Sequence, residues 1–127
     1  RFCTAFLAGT RPTIFGDGLQ SRDFVYVTDV ARANIRAAMA PASQVAGRVF
    51  NIAGGRSVSL LDLVSSLNAL TGQRLDPVFE PARAGDVRHS QADIAAAQAG
   101  FGFEASVPLS EGLESTLDFY RSSPGKQ

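Results

Sequence analysis

Cysteine, histidine, methionine and tryptophan are scarce in this sequence. Its 127 residues include one cysteine, one histidine, one methionine and no tryptophan. The lone Cys3 cannot form an intramolecular disulfide, which fits a reducing compartment, so we expect a cytoplasmic protein. Cys3 lies in an apolar helical pattern, where it is expected to be a core residue rather than a reactive thiol. No cluster of histidines and cysteines supports a metal site, and no metal is predicted.

An excess charge and a long apolar run are also missing. Twelve basic and twelve acidic residues cancel, so the sequence lacks the basic footprint of a nucleic-acid-binding protein. No apolar stretch approaches the roughly 20 residues that cross a bilayer, and neither a signal peptide nor a repeat is visible. We therefore expect one soluble domain without nucleic-acid or membrane partners. The chain starts at an arginine inside a helical pattern, from which we expect that it is cut from something longer.

The most informative stretch lies near the amino end. Residues 13–15 are β-branched and aromatic, which predicts a short strand. Residues 16–18, Gly-Asp-Gly, predict a turn, because glycine adopts backbone angles that other residues resist. The apolar run at 24–27 predicts a second strand, after which Thr28 or Asp29 is expected to cap a helix.

Helical and extended patterns alternate along the rest of the chain. Helices are predicted at 1–7, 30–40, 59–72, near 90–100 and at 109–120. The third begins with Ser59 and Asp62 at capping-box spacing, and its buried stripe is predicted to be Leu60, Leu61, Leu63, Val64, Leu67 and Leu70. Ser90 or Asp93 is expected to cap the fourth.

The non-helical segments are predicted as follows. Residues 42–47 and 83–89 are read as loops, residues 49–53 as a short strand, and residues 77–80 as an extended edge segment because of the proline. The tail beyond Arg121 is expected to fray. Between the two predicted amino-terminal strands lie Arg22 and Asp23, which are either a surface ion pair or part of a ligand site.

Three spaced motifs resemble the nucleotide-sugar epimerases and dehydratases of the extended short-chain dehydrogenase superfamily, typified by the UDP-galactose and UDP-N-acetylglucosamine 4-epimerases. They are Ile-Phe-Gly-Asp-Gly-x-Gln-x-Arg-Asp-Phe-Val-Tyr-Val-x-Asp-Val-Ala from residue 14, Phe-Asn-Ile-Ala-Gly-Gly from residue 50, and Arg-Ala-Gly-Asp-Val-Arg-His-Ser-Gln-Ala-Asp-Ile from residue 83. Their order and spacing match the carboxy-terminal part of such an enzyme. The resemblance implies an α/β fold: the small mixed α/β substrate-binding domain of an extended short-chain dehydrogenase, with the Rossmann half absent.

The resemblance also implies a set of ligand contacts. Arg22 and Arg83 match the arginines that contact the diphosphate, whose oxygen arrays suit guanidinium forks. Asp86 matches the acid that binds the ribose hydroxyls, and the backbone of Thr13 and Phe15 matches the strand that reads the pyrimidine base. Without the resemblance, Arg83 would be interpreted as a solvated loop charge.

Two further residues are candidates for substrate binding. Asn51 precedes paired glycines, where its amide either touches the ligand or caps the turn. His89 lies in a Val-Arg-His-Ser run that resembles epimerases acting on UDP-N-acetylhexosamines. A lone loop histidine without an assignable serine or carboxylate partner is, alternatively, structural or exposed to solvent.

The cofactor and acid-base motifs of the superfamily are missing. The turn at 16–18 is not followed by a helix pattern, as a dinucleotide-binding turn must be. A Tyr-x-x-x-Lys is absent as well, since Val30 and Pro124 stand four residues after the two tyrosines. We therefore expect no catalytic or cofactor-binding residue here, and NAD to be bound by an absent amino-terminal domain. In the intact enzyme the resemblance implies oxidation at C4 by NAD, rotation of the keto sugar and re-reduction.

The sequence thus predicts a single substrate-binding domain over residues 1–127 of an NAD-dependent UDP-sugar 4-epimerase, inactive by itself. A 4,6-dehydratase or reductase of the same superfamily, and a non-catalytic ligand-binding module, remain open, with the Val-Arg-His-Ser run favouring an epimerase. Residues 29–53 are expected to pack on the missing dinucleotide-binding domain. Because the dinucleotide-binding domain that would cover this surface is absent, we expect the chain to form a homodimer or a swapped assembly.

Overall fold

A computed structural model describes residues 1–122, which form a mixed α/β fold of helices and two small sheets. The helices are α1 (Phe2–Leu7), α2 (Val27–Met39), α3 (Ala42–Val45), α4 (Leu60–Thr71), α5 (Ala95–Phe101) and α6 (Leu109–Ser122). The strands are β1 (Thr13–Phe15), β2 (Ser21–Arg22), β3 (Val58–Ser59) and β4 (Val78–Glu80). The mixed α/β class is confirmed.

Two strand pairs connect distant parts of the sequence. Strand β1 runs parallel to β4, with Thr13 opposite Val78 and Phe15 opposite Glu80. Strand β2 runs antiparallel to β3, with Ser21 opposite Ser59. The strand at 13–15 and the extended segment at 77–80 were both predicted, and the pairing brings the turn after β1 next to the loop after β4.

Helix α4 forms as predicted. Ser59 accepts the N–H of Asp62 at 3.0 Å, and the Asp62 carboxylate accepts the N–H of Ser59 at 3.3 Å, which completes the capping box. Gly72 ends the helix with φ +67°. The first helical N–H groups, of Leu60 and Leu61, donate to carbonyl groups in the segment that follows β1.

The apolar stripe of α4 lies in the larger of two clusters of buried side chains. This cluster contains Phe6, Ile14, Leu63, Val64, Leu67 and Leu117, and thus joins α1, β1, α4 and α6. Cys3 packs against it half-buried, in agreement with the prediction, and burial raises the pKa of its thiol above the ordinary value of 9.0. The second cluster contains Ala33, Ala97 and Phe103, with Phe50, Ile52, Ile94, Phe101 and Ala105 around it.

The predicted strand at 24–27 is wrong, because the described chain offers this segment no strand to pair with. Tertiary contacts occupy it instead: Tyr26 packs against Gly112 of α6, and the Phe24 carbonyl lies against Gly54. Helix α2 begins at Val27, earlier than predicted, and Tyr26 is its N-cap without a side-chain hydrogen bond. Thr28 and Asp29 are therefore inside the helix and do not cap it.

Three other boundaries differ from the predictions. The loop at 42–47 contains the short helix α3, and the strand predicted at 49–53 is wrong, since these residues pair with no strand among residues 1–122. Helix α5 ends at Phe101 and not at Gly100, with Gly102 at φ +65°, and its N-cap is Ile94 rather than Ser90 or Asp93. Helix α6 begins at Leu109 as predicted but extends to Ser122, two residues past the predicted end. Ser122, in the tail predicted to fray beyond Arg121, is therefore helical, and the rest of that tail lies outside the described residues.

The outward face of α2 is apolar. Val27, Ile35 and Met39 are 67%, 60% and 81% exposed, and Val49, in the segment after α3, is 94% exposed. Their spacing places the three helical residues along one side, opposite the buried Ala33. Among residues 1–122, no helix has the length and apolarity needed to span a membrane.

Candidate functional site

A groove of about 690 Å³ lies where α1, β1 and the loop after β4 meet. Its lining includes Thr13 and Phe15 of β1, the buried Gln20, and Arg83 and Asp86 of the loop. Four of the seven predicted binding residues (Thr13, Phe15, Arg83 and Asp86) therefore face one cavity. Arg22 contacts the lining residue Asp86, whereas the side chains of His89 and Asn51 do not line the cavity.

One edge of β1 is free to meet a ligand. The N–H of Val78 donates to the Pro12 carbonyl and the N–H of Gly16 donates to the Glu80 carbonyl. In a parallel ladder these bonds use alternate residues, so Thr13 and Phe15 direct their backbone groups away from β4. A flat group with both donors and acceptors, such as a nucleobase, can pair with such an edge.

Gln20 fixes part of this edge, and the sequence reasoning missed it. Its side chain is 5% exposed, and its Nε2 donates to the Phe15 carbonyl at 2.6 Å. Its Oε1 is buried without a partner among the described residues. Hydropathy does not reveal that this glutamine is buried, because its apolar neighbour Leu19 is exposed while the polar Gln20 is buried. The contact leaves the Phe15 N–H and the Thr13 groups as the open part of the edge.

Arg83 lies above the aromatic ring of Phe15. Its guanidinium carbon is 3.6 Å from the ring centroid, a cation–π contact that holds the side chain against the groove. No acidic side chain in the described part of the chain pairs with Arg83. Its hydrogen-bond donors are thus available to an anion.

Arg22 is engaged with the loop after β4. Its Nη1 donates to the carbonyl oxygens of Ser21 and Val87, at 2.8 and 2.6 Å. Its Nη2 donates to the Asp86 carboxylate at 2.6 Å, in an ion pair whose side chains are 31% and 37% exposed. Two residues predicted to contact different parts of a ligand are therefore bound to each other.

Two more contacts hold the same loop. Arg88 makes a two-pronged bond to Asp17, at 2.8 and 3.1 Å, and this guanidinium holds the pKa of the Asp17 carboxyl below its ordinary value of 3.8. His89 Nδ1 lies 3.0 Å from Ser21 Oγ, which also accepts the Ser57 hydroxyl at 2.7 Å. His89 thus has a hydroxyl partner that its sequence spacing did not reveal.

Asn51 is outside the groove. Its amide donates to the Asp93 carbonyl at 3.2 Å and so ties the unpaired 49–53 segment to the start of α5. Among residues 1–122 no group of three or more His, Cys, Asp or Glu side chains is placed to hold a metal ion.

The chain is similar to several known enzymes. The model of the NAD-dependent epimerase/dehydratase family matches residues 1–53. The UDP-glucose 4-epimerase of Mycolicibacterium smegmatis is 38% identical over 121 residues, which are 95% of this chain and 38% of that protein. The structure of Thermotoga maritima UDP-glucose 4-epimerase with UDP-glucose superposes with a TM-score of 0.87 at 40% identity, over 95% of this chain and 38% of that one. Residues 1–53 thus match the NAD-dependent epimerase/dehydratase family, and almost the whole chain is similar to part of two UDP-glucose 4-epimerases.

Family members with other activities are also similar. Bacillus cereus UDP-glucuronic acid 4-epimerase, in complex with UDP-glucuronic acid and NAD, has a TM-score of 0.88 at 34% identity, over 96% of this chain and 38% of that one. The dTDP-glucose 4,6-dehydratase of Streptomyces griseus is 35% identical, over 94% of this chain and 36% of that protein. The chain thus spans little more than a third of the length of these epimerase/dehydratase relatives.

The glycine turn after β1 does not have the geometry of a dinucleotide-binding turn. A dinucleotide pyrophosphate needs a glycine turn between a strand and the start of a helix. The turn after β1 leads into β2 instead, and Gly18 packs on Leu61 of α4, which an added Cβ would approach to 2.8 Å. This glycine serves packing against the helix and not the approach of a phosphate.

Proposed function

We propose that this chain is the nucleotide-sugar-binding part of an NAD-dependent UDP-sugar 4-epimerase, which interconverts hexose or N-acetylhexosamine C4 epimers. The supporting observation is that one groove joins a free strand edge, a loop carboxylate and an arginine that pairs with no acidic side chain among the described residues. These three groups suit, respectively, the flat base, the ribose hydroxyls and the anionic diphosphate of a nucleoside diphosphate.

Each part of the groove suits one part of that ligand. The free backbone groups of Thr13 and Phe15 meet the base, and Asp86 accepts the ribose hydroxyls. Arg83, and Arg22 once it is released from Asp86, bind the diphosphate through charged hydrogen bonds. His89 supports the loop from its Ser21 side. Asn51, tied to Asp93 outside the groove, is the weakest candidate for ligand contact.

The chemistry itself belongs to sequence beyond this chain. We propose that NAD is bound by the amino-terminal part of the enzyme, that residues 29–53 pack on that part, and that this chain alone is inactive and cytoplasmic. The apolar outward face of α2 and the exposed Val49 support the packing proposal, because such a surface is costly to leave in water.

A second candidate is a 4,6-dehydratase or reductase with the same binding part. The similarity to a dTDP-glucose 4,6-dehydratase, at 35% identity, supports it. The Val-Arg-His-Ser run and the similarity to 4-epimerases favour the epimerase. A non-catalytic module would bind the nucleotide but need no catalytic sequence upstream. The enzyme encoded by the full reading frame is assayed with UDP-glucose to distinguish the candidates. UDP-galactose as the product indicates an epimerase, a 4-keto product indicates a dehydratase, and no turnover favours the non-catalytic module.

The binding proposal is tested by calorimetric titration of the chain with UDP. Wild-type protein is expected to bind, and Arg83→Ala to lose about tenfold or more in affinity, since a hydrogen bond to a charged group contributes about 1.5–3 kcal/mol. Arg48→Ala is the matched control, because Arg48 lies in a different groove beside Val49. Absence of UDP binding by the folded wild-type chain, or an equal loss in both variants, would contradict the proposal.

A further inference from the structure

The ion pair between Arg22 and Asp86 is built to exchange partners. Both side chains are about one-third exposed, so water and solutes reach the pair. Arg22 is secured independently of it, because Nη1 bonds to two backbone carbonyls. Loss of the carboxylate partner therefore frees Nη2 without releasing the side chain.

Asp86 opposes a bare anion at this position. An incoming phosphate has to displace the carboxylate from Arg22 and then remain close to its negative charge, which is unfavourable by Coulomb's law. Water can hydrate the displaced carboxylate, whose side chain is 37% exposed, but its negative charge stays beside the anion. Arg83 differs, because it rests on Phe15 and has no acidic partner within the described residues.

A nucleoside diphosphate supplies what the anion alone lacks. Its ribose carries hydroxyl groups that donate to Asp86 while its diphosphate takes the vacated guanidinium. The ligand then replaces one internal ion pair with two satisfied contacts. Inorganic pyrophosphate has the anion but no hydroxyl donors of this kind, so Asp86 stays unpaired and repulsive.

We propose that Asp86 masks Arg22 and thereby makes the groove select nucleoside diphosphates over inorganic pyrophosphate. This inference rests on the proposed function for the identity of the ligand, and it adds a selection step. Asp86 thus determines specificity by repulsion as well as by attraction.

The test compares pyrophosphate and UDP titrations of wild type and Asp86→Asn. The variant is expected to bind pyrophosphate about five- to tenfold more tightly, since it removes both the competing ion pair and the nearby like charge. Its UDP affinity is expected to stay level or fall, so the preference for UDP narrows. Circular dichroism checks that each variant is folded. If Asp86→Asn does not fold, Asp86→Ser takes its place in the comparison.

Two controls make the result specific. Asp17→Asn removes the same charge and frees Arg88 on the same loop, but Asp17, unlike Asp86, does not line the groove, so pyrophosphate affinity should not rise. In an Arg22→Gln background, which keeps donors for the carbonyls, Asp86→Asn should give no gain. An unchanged pyrophosphate affinity in Asp86→Asn, or an equal rise in Asp17→Asn, overturns the masking role. UDP binding by the wild-type chain is measured separately, so the proposed function can fail or stand independently of the masking role of Asp86.

Discussion

Asp29 lies 1% exposed between the start of α2 and the segment before α6. Its carboxylate accepts the N–H groups of Ser106 and Val107 at 3.2 and 3.1 Å, and it also pairs with Arg32. Asp29→Asn would keep the shape but turn an amide N–H₂ toward backbone donors. Because buried donors would lose a charged acceptor, we expect a loss of about 3 kcal/mol in the free energy of unfolding.

The pH dependence of this effect has a definite sign. Burial alone raises the pKa of the Asp29 carboxyl, but the bonds from Val107 and Ser106 and the Arg32 charge outweigh it, so the pKa lies below the ordinary value of 3.8. A folded-state pKa below the unfolded one means that the stabilisation is fully present above 3.8. It is lost as the pH falls below that value through the folded-state pKa.

Urea unfolding followed by circular dichroism measures the effect at about pH 7 and again near pH 3, where the difference from wild type should shrink. Asp118→Asn is a matched control, because Asp118 also pairs with an arginine three residues later but is 63% exposed. It should cost under about 0.5 kcal/mol. An Asp29→Asn variant as stable as this control, or a difference independent of pH, would refute the reasoning.

Two further predictions concern packing and association. Gly54→Ala should destabilise the fold by about 3 kcal/mol in the same urea assay, since its Cβ would lie 2.3 Å from the Phe24 carbonyl oxygen. Gly47→Ala, at φ +69° with open space around it, should cost only about 1 kcal/mol, and equal losses would contradict the packing argument. The apolar face of α2 should drive concentration-dependent association in sedimentation velocity, weakened by Ile35→Lys or Met39→Lys. A clean wild-type monomer at high concentration would count against it.

Features set by local chemistry could be predicted from the sequence. The capping box of Ser59 and Asp62, the apolar stripe of α4 and the glycine turn after β1 each depend on residues within one or two turns of chain. The stability of these features depends mainly on local interactions and little on tertiary contacts. Residue pattern and helix propensity are therefore sufficient to predict them. The resemblance added a set of predicted binding residues, of which Thr13, Phe15, Arg83 and Asp86 line one groove.

Features that depend on a distant partner could not be predicted. The apolar runs at 24–27 and 49–53 have strand-like composition, yet a strand forms only beside another strand, and none is available within residues 1–122. The buried partners of Asp29 come from Ser106 and Val107, far along the chain, so the sequence suggested a helix cap instead. The Gln20 contact to Phe15 and the pairing of Arg22 with Asp86 depend equally on loop geometry.

The central claim is that the groove beside the free edge of β1 receives a nucleoside diphosphate. Backbone amide chemical shifts recorded during a UDP titration test it most directly, because they locate the ligand as well as detect it. The account predicts the largest changes at Thr13, Phe15 and the loop around Arg83. Changes confined to the separate groove beside Gly55 and Ile94, or no changes in the folded chain, would contradict it.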